Sequence, residues 1–200
     1  MSAHPLPDGR HLILASTSPF RRELLARLGL PFATLPPAVD ETPLPDEDAP
    51  TLAARLAQAK ARAVAYRHPT ALIIGSDQAA TLRGTLIGKP GVHEQAVRQL
   101  QRASGQTVTF YTGLCLLDGA SAQGQVAVER FEVTFRALTL ETIERYLRRE
   151  QPYQCAGSFK SEGLGVVLFE RLTGHDPTSL IGLPLIRLTR MLEIAGVRIL

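Results

Sequence analysis

The first apolar run, His11-Leu-Ile-Leu-Ala-Ser16, predicts a buried strand, and from Pro19 to Leu28 the apolar positions Phe20, Leu24, Leu25 and Leu28 recur at helical spacing up to Gly29. Pro31 to Leu35 fits a second strand. Pro36 to Pro50 is crowded with proline and with Asp40, Glu41, Asp46, Glu47 and Asp48, which predicts a surface loop. Thr51 to Tyr66, rich in Ala, Leu, Lys and Arg, predicts an amphipathic helix, and Ala71 to Ser76 a short buried strand. Ala79–Leu82 and Thr85–Ile87 flank Arg83-Gly84 as a hairpin, with Gly88 to Gly91 as a loop before a helix from His93 to Arg102. Thr107–Leu117 and Gln125–Phe135 suggest an antiparallel ribbon. Thr139 fits the cap of a helix reaching Arg149, Val166 to Phe169 reads as a strand, and Leu183 to Ala195 as a closing helix ended by Gly196. Strands alternating with helices, interrupted by hairpins, predict an α/β fold with a mixed sheet covered by helices.

The 200 residues, 44% hydrophobic and 20% charged, fit a single domain over 1–200 and exclude disorder, collagen and coiled coil. The net charge is +3, and the excess lies in residues 51–100, with seven basic side chains against two acidic ones, too diffuse for a nucleic-acid arm. No apolar run approaches a membrane span and the first residues lack a signal pattern, so a soluble, cytoplasmic protein is expected, without a stable nucleic-acid or membrane partner. Cys115 and Cys155 form no C-x-x-C and read as free thiols. The histidines, His4, His11, His68, His93 and His175, show no ligand spacing and read as surface or capping residues. Gly84 to Pro90 fails as a phosphate loop, because three residues separate its glycines and Pro90 follows Lys89.

Three groups of residues carry candidate chemistry. In Ser16-Thr-Ser-Pro-Phe-Arg-Arg22, Ser18 fits a helix cap and Pro19 the first helical position. Arg21 and Arg22 then sit at the positive end of the helix dipole, where a bound phosphate would favour them; solvated arginines are the equal alternative. Asp77 follows a buried strand and is the best single candidate for a catalytic group or a ligand of Mg²⁺; Glu41 is only slightly favoured over its acidic neighbours, which read as solvated loop charges. Finally, Lys60, Lys89 and Lys160 are the only lysines beside nineteen arginines, and each is a candidate point charge for phosphate or an ordinary surface residue.

In order and spacing, Leu12-Ile-Leu-Ala-Ser-Thr-Ser-Pro-Phe-Arg-Arg22, Val39-Asp-Glu-Thr42, Ala57-Gln-Ala-Lys-Ala61, Ile74-Gly-Ser-Asp-Gln78, Gly88-Lys-Pro90, Val108-Thr-Phe-Tyr-Thr-Gly113, Ala156-Gly-Ser-Phe-Lys-Ser-Glu-Gly163 and Gly182-Leu-Pro-Leu185 resemble the Maf family over nearly the whole chain. The resemblance implies an α/β fold similar to inosine-triphosphate pyrophosphatases with a long central cleft. It also implies a divalent metal, Mg or Mn, a nucleotide substrate and often a homodimer. The implied reaction splits a nucleoside triphosphate into monophosphate and pyrophosphate. Asp77, Glu41, Lys60 and Lys89 are implied as the catalytic set, with Asp77 the general base and Glu41 and Asp77 metal-associated, and Ser16, Arg21, Lys60 and Lys89 as groups that bind phosphate or neutralise its charge. Phe20, Gln78 and Glu162 occupy the positions implied to set base specificity, and resemble the subgroup acting on 7-methyl-GTP, with Phe20 where the best-known members have Trp. The competing readings are a dTTP/UTP pyrophosphatase and a non-catalytic nucleotide-binding regulator of cell division. For Phe20 and Glu162 the bland alternatives are packing under the first helix and pairing with Lys160.

Overall fold

The computed structural model describes residues 5–200; His4 lies outside the described residues. In chain order the strands are β1 (Leu12–Ala15), β2 (Ala33–Leu35), β3 (Leu72–Leu82), β4 (Thr85–Ile87), β5 (Thr107–Asp118), β6 (Gly124–Phe135) and β7 (Phe169–Gly174). The α-helices are α1 (Pro19–Ala26), α2 (Ala49–Ala65), α3 (His93–Ala103), α4 (Leu140–Glu150), α5 (Pro177–Ile181) and α6 (Leu185–Ile194). The sheet order is β2-β1-β3-β5-β6-β7, with β4 pairing β3. It is mixed as expected: β1 runs parallel to β2 and β3, whereas β3–β4 and β6–β7 are antiparallel. No helix among the described residues is long and apolar enough to cross a membrane.

The chain forms two compact units, one of residues 1–78, 112–129 and 176–200, the other of 79–111 and 130–175. In the first, β1, β3 and β5 are buried on both faces, which is why their sequences are continuous apolar runs. Leu12, Leu14, Leu72, Ile74, Leu114 and Leu116 point to a core shared with Leu24 and Leu25 of α1 and Leu188 and Leu192 of α6. The alternate residues Ile13, Ala15, Ile73 and Cys115 point to the other side, against Ala57, Ala61 and Val64 of α2. This three-layer arrangement follows from the period of two along each strand.

The second unit is organised around aromatic rings. Phe159 meets Phe110, Phe135 and Phe169 edge to face, with centroids 5.4, 5.6 and 4.9 Å away, and so pins the segment that carries Lys160 and Glu162.

Two expectations need correction. Val166 to Phe169 is not a strand: Leu164–Leu168 is a 3₁₀ turn, Val166 and Val167 are 59% and 43% exposed, and the strand begins only at Phe169. The strand expected to stop at Ser76 continues through Asp77 and Gln78 to Leu82. What ends at that level is its parallel neighbour, since Ala15, the last residue of β1, is opposite Gly75. Asp77 therefore lies inside a strand, just past the end of the one beside it.

Candidate active site

The site in the first unit begins with a close approach of helix to sheet. A Cβ built on Gly75 would lie 2.1 Å from the Ala57 carbonyl oxygen, and one on Gly113 2.1 Å from that of Ala53. Only glycine on the strands, facing the fully buried stripe Ala53, Ala57 and Ala61, lets α2 sit this near. That proximity brings Lys60, 5% exposed, onto β3: its Nζ is 2.5 Å from Asp77 Oδ1 and 2.5 Å from Glu41 Oε1. The ammonium and two carboxylates thus meet at one atom, with Asp77 nearly buried and the Glu41 side chain 55% exposed.

Glu41 reaches Lys60 from a loop in which Asp40, Glu47 and Asp48 have structural duties. Asp48 caps α2 by accepting from the Thr51 amide, and Asp40 accepts from the amide and hydroxyl of Thr42. Glu47 corrects the expectation of a solvated charge. Its side chain is almost covered, and it takes both the Nε and an Nη of Arg55, at 2.6 and 2.7 Å. The Arg55 side chain leaves the Glu47 carboxyl well below its usual range, at about 2. The same guanidinium donates to the Thr42 carbonyl and so clamps the loop next to Glu41 onto α2.

The start of α1 is built as expected. Ser18 caps it by accepting from the Arg21 amide, Pro19 opens it, and buried Ser16 accepts from the Ser18 amide. Phe20 is half-buried and Arg22 exposed. The half-buried Arg21 side chain turns inward and donates from Nε to the Gly182 carbonyl at 2.8 Å. Burial lowers the pKa of this guanidinium below its ordinary value, and the carboxylates of Asp77 and Glu41, both within electrostatic reach, oppose the shift; a guanidinium keeps its charge in a protein.

Gln78, next to Asp77, donates through Nε2 to the Ser179 and Leu180 carbonyls and to Thr112 Oγ1. Ser76 Oγ lies 2.8 and 2.9 Å from the carbonyl oxygens of Gly113 and Gly182. Segment 176–186, with its short helix α5, therefore touches Arg21, Ser76 and Gln78, and the sequence reading missed the helix. Five residues are too few to show helical periodicity; the available signal was Asp176-Pro177, the same cap-then-proline pattern as Ser18-Pro19.

Lys89 and Glu162 belong to the second unit. Lys89 is exposed in the loop after β4, whose Gly88 carbonyl is held by Gln99 and whose Gly91 amide is held by Tyr153. Glu162 is exposed and accepts from its neighbour Ser161. It is not paired with Lys160, whose ammonium donates to the Glu150 carbonyl and lies 3.4 Å from the Glu150 carboxylate. Both cysteines are free. Burial pushes the Cys115 thiol up to about 11 and raises Cys155 as well. His93 bridges Tyr153 and Glu144, and no cluster of three or more His, Cys, Asp or Glu suited to a metal occurs among the described residues.

An α/β sheet carrying a buried lysine between two carboxylates, beside an inward-turned arginine at a capped helix start, is an arrangement suited to a phosphorylated ligand. The family model of Maf-like proteins matches residues 11–195, through both units, and the chain belongs to that family. It is 58% identical over 196 residues to a 7-methyl-GTP pyrophosphatase of Nitrosococcus oceani, covering 98% of each chain. It is also 58% identical over 193 residues to a 7-methyl-GTP pyrophosphatase of Polaromonas sp., covering 96% of this chain and 87% of the relative.

Proposed function

We infer that this chain is a hydrolase that splits 7-methyl-GTP into 7-methyl-GMP and pyrophosphate. The observation that supports it most is the Asp77 carboxylate, nearly buried and held 2.5 Å from Lys60 Nζ in a chain whose relatives carry that activity in their names. Oδ1 is engaged by Lys60, while Oδ2 has no hydrogen-bond partner among the described residues and is the atom positioned to take a proton from water. As that water's oxygen bonds to the α-phosphorus, the bond from this phosphorus to the α,β-bridging oxygen breaks and pyrophosphate leaves. Ser16 serves the phosphates from the loop before α1 and Arg21 from the first turn of that helix, and Lys89 supplies further positive charge to them. Positioning and charge stabilisation supply most of the acceleration in such a transfer.

Two carboxylates converging on one atom also fit a hard divalent cation, Mg or Mn, which takes a few carboxylate oxygens together with water and phosphate. Glu41 and Asp77 would hold it, and it would supply positive charge to the phosphate oxygens. For the base, methylation at N7 makes the guanine ring cationic, and the Phe20 ring attracts such a cation by roughly 0.5–2 kcal/mol. Glu162 accepts from the N1–H and 2-amino group. Uracil and thymine set a carbonyl oxygen against that carboxylate and are disfavoured.

The test is pyrophosphate release from a nucleotide panel with Mg²⁺ or Mn²⁺. The expected outcome is the highest kcat/KM for 7-methyl-GTP; faster turnover of dTTP or UTP overturns the substrate assignment, and no turnover of any nucleotide overturns the reaction.

A further inference from the structure

Segment 176–186 is folded upon one buried carboxylate. Asp176 is 2% exposed; its Oδ1 accepts from the amide and hydroxyl of Thr178, at 3.0 and 2.6 Å, and its Oδ2 from the Ile186 amide at 2.8 Å. Thr178 Oγ1 in turn accepts from the Leu185 amide, and Ser179 Oγ donates to the Asp176 carbonyl. An acid buried this deeply is stable because these donors replace water. The charge sits between the start of α5 and the start of α6 and ties both to one point.

The closed segment presents carbonyl oxygens to Gln78. Ser179 O, Leu180 O and Thr112 Oγ1 lie 2.9, 3.1 and 3.1 Å from the same side-chain atom. The carbonyls can only accept, and the fully buried Thr112 hydroxyl donates its proton to Ser179 O at 2.8 Å, so it too accepts from Gln78. The atom that meets all three is therefore the amide nitrogen. Turning the amide over would place Oε1 against two carbonyl oxygens. The remaining atom, Oε1, has no partner among the described residues, and Gln78 offers a ligand an acceptor and no donor.

We propose that Asp176 is a positioning residue, which holds the Ser179 and Leu180 carbonyls against Gln78 and thereby fixes the hydrogen-bond polarity that the side chain shows to the substrate base. The inference rests on the proposed function and takes Gln78, one of the positions that the family resemblance implies for base specificity, as facing that base. The group it meets is then a hydrogen-bond donor. With N1–H and one 2-amino hydrogen taken by Glu162, the second hydrogen of guanine's 2-amino group is the donor left for Gln78, whereas adenine has no 2-amino group and carries an acceptor at N1.

The experiment compares kcat/KM for 7-methyl-GTP and 7-methyl-ATP in the wild type, Asp176→Asn, Gln78→Met and the double variant. Displacement of the phosphate-binding or catalytic groups slows both nucleotides alike, so their ratio reports the base alone. In Asp176→Asn one amide hydrogen faces the Ile186 amide, the segment loosens, and the ratio falls about tenfold because the freed amide accommodates either edge. In the Gln78→Met background the same change moves the ratio less than twofold. A parallel loss on both nucleotides, or a tenfold shift that persists in the Gln78→Met background, overturns the proposal. A wild type that hydrolyses neither nucleotide overturns the proposed function instead, and the inference with it. Thr178→Val removes one donor to Asp176 and the acceptor for Leu185 and is expected to shift the ratio about threefold. It keeps the test decisive should Asp176→Asn not fold, and an unshifted ratio in a folded Thr178→Val variant then overturns the proposal.

Discussion

Lys60 and Lys89 share a charge and a proposed ligand, yet the two regions that carry them are built on opposite plans. Lys60 leaves a helix pressed onto glycines and is locked between two carboxylates before any ligand arrives. Lys89 stands on a surface loop whose backbone is tethered while the side chain extends into water. The first arrangement places a group accurately at the cost of desolvating it; the second keeps a charge hydrated and adaptable. The region around Lys60 is accordingly the one expected to govern chemistry, and the region around Lys89 the one expected to govern capture.

The largest test of that division is Asp77→Asn, which retains the shape of the side chain but not its basicity. We expect kcat to fall about 10³-fold with the circular-dichroism spectrum unchanged. A loss confined to KM would place Asp77 with capture instead. Next comes the paired replacement of the lysines. Lys60→Met leaves Asp77 facing Glu41 without the ammonium between them and is expected to cost about 2 kcal/mol in urea denaturation, less than a fully buried pair because Glu41 is half in water. Lys89→Met is expected to change stability by no more than about 0.5 kcal/mol and to raise KM about tenfold at constant kcat. Equal stability losses in the two variants would erase the contrast.

The smallest effect concerns the clamp beside Glu41. With its folded value depressed to about 2 by Arg55, the Glu47 carboxylate contributes stability that is present above its ordinary value of 4.5 and is lost as pH falls through about 2. Wild type and Glu47→Gln should therefore converge in thermal midpoint across that acidic window and differ at neutral pH. A gap independent of pH would remove the clamp from the account.

Much of the Lys60 region was legible in the chain. Ser18-Pro19 announced the cap of α1, and the apolar runs of β1 and β3 announced burial, because both signals are local. The partner of Lys60 within the acidic loop was not legible: Glu41 and Glu47 are chemically alike, and only the fold sends one to Lys60 and the other to Arg55. The length of β3 depends on where β1 stops, which no local pattern records. Val166 and Val167 misled for the converse reason, since an apolar pair suggested a strand although both side chains are substantially exposed in a 3₁₀ turn.

Arg21 and Lys60 contribute two positive charges near Asp77, and Asp77 and Glu41 contribute two negative ones, so this quartet is electrically neutral. A neutral group projects little field into the surrounding water and does not draw an anion from a distance. The attraction that guides a polyanion inward must come from other parts of a chain with net charge +3, and the quartet acts only on arrival, by exchanging internal ion pairs for new ones.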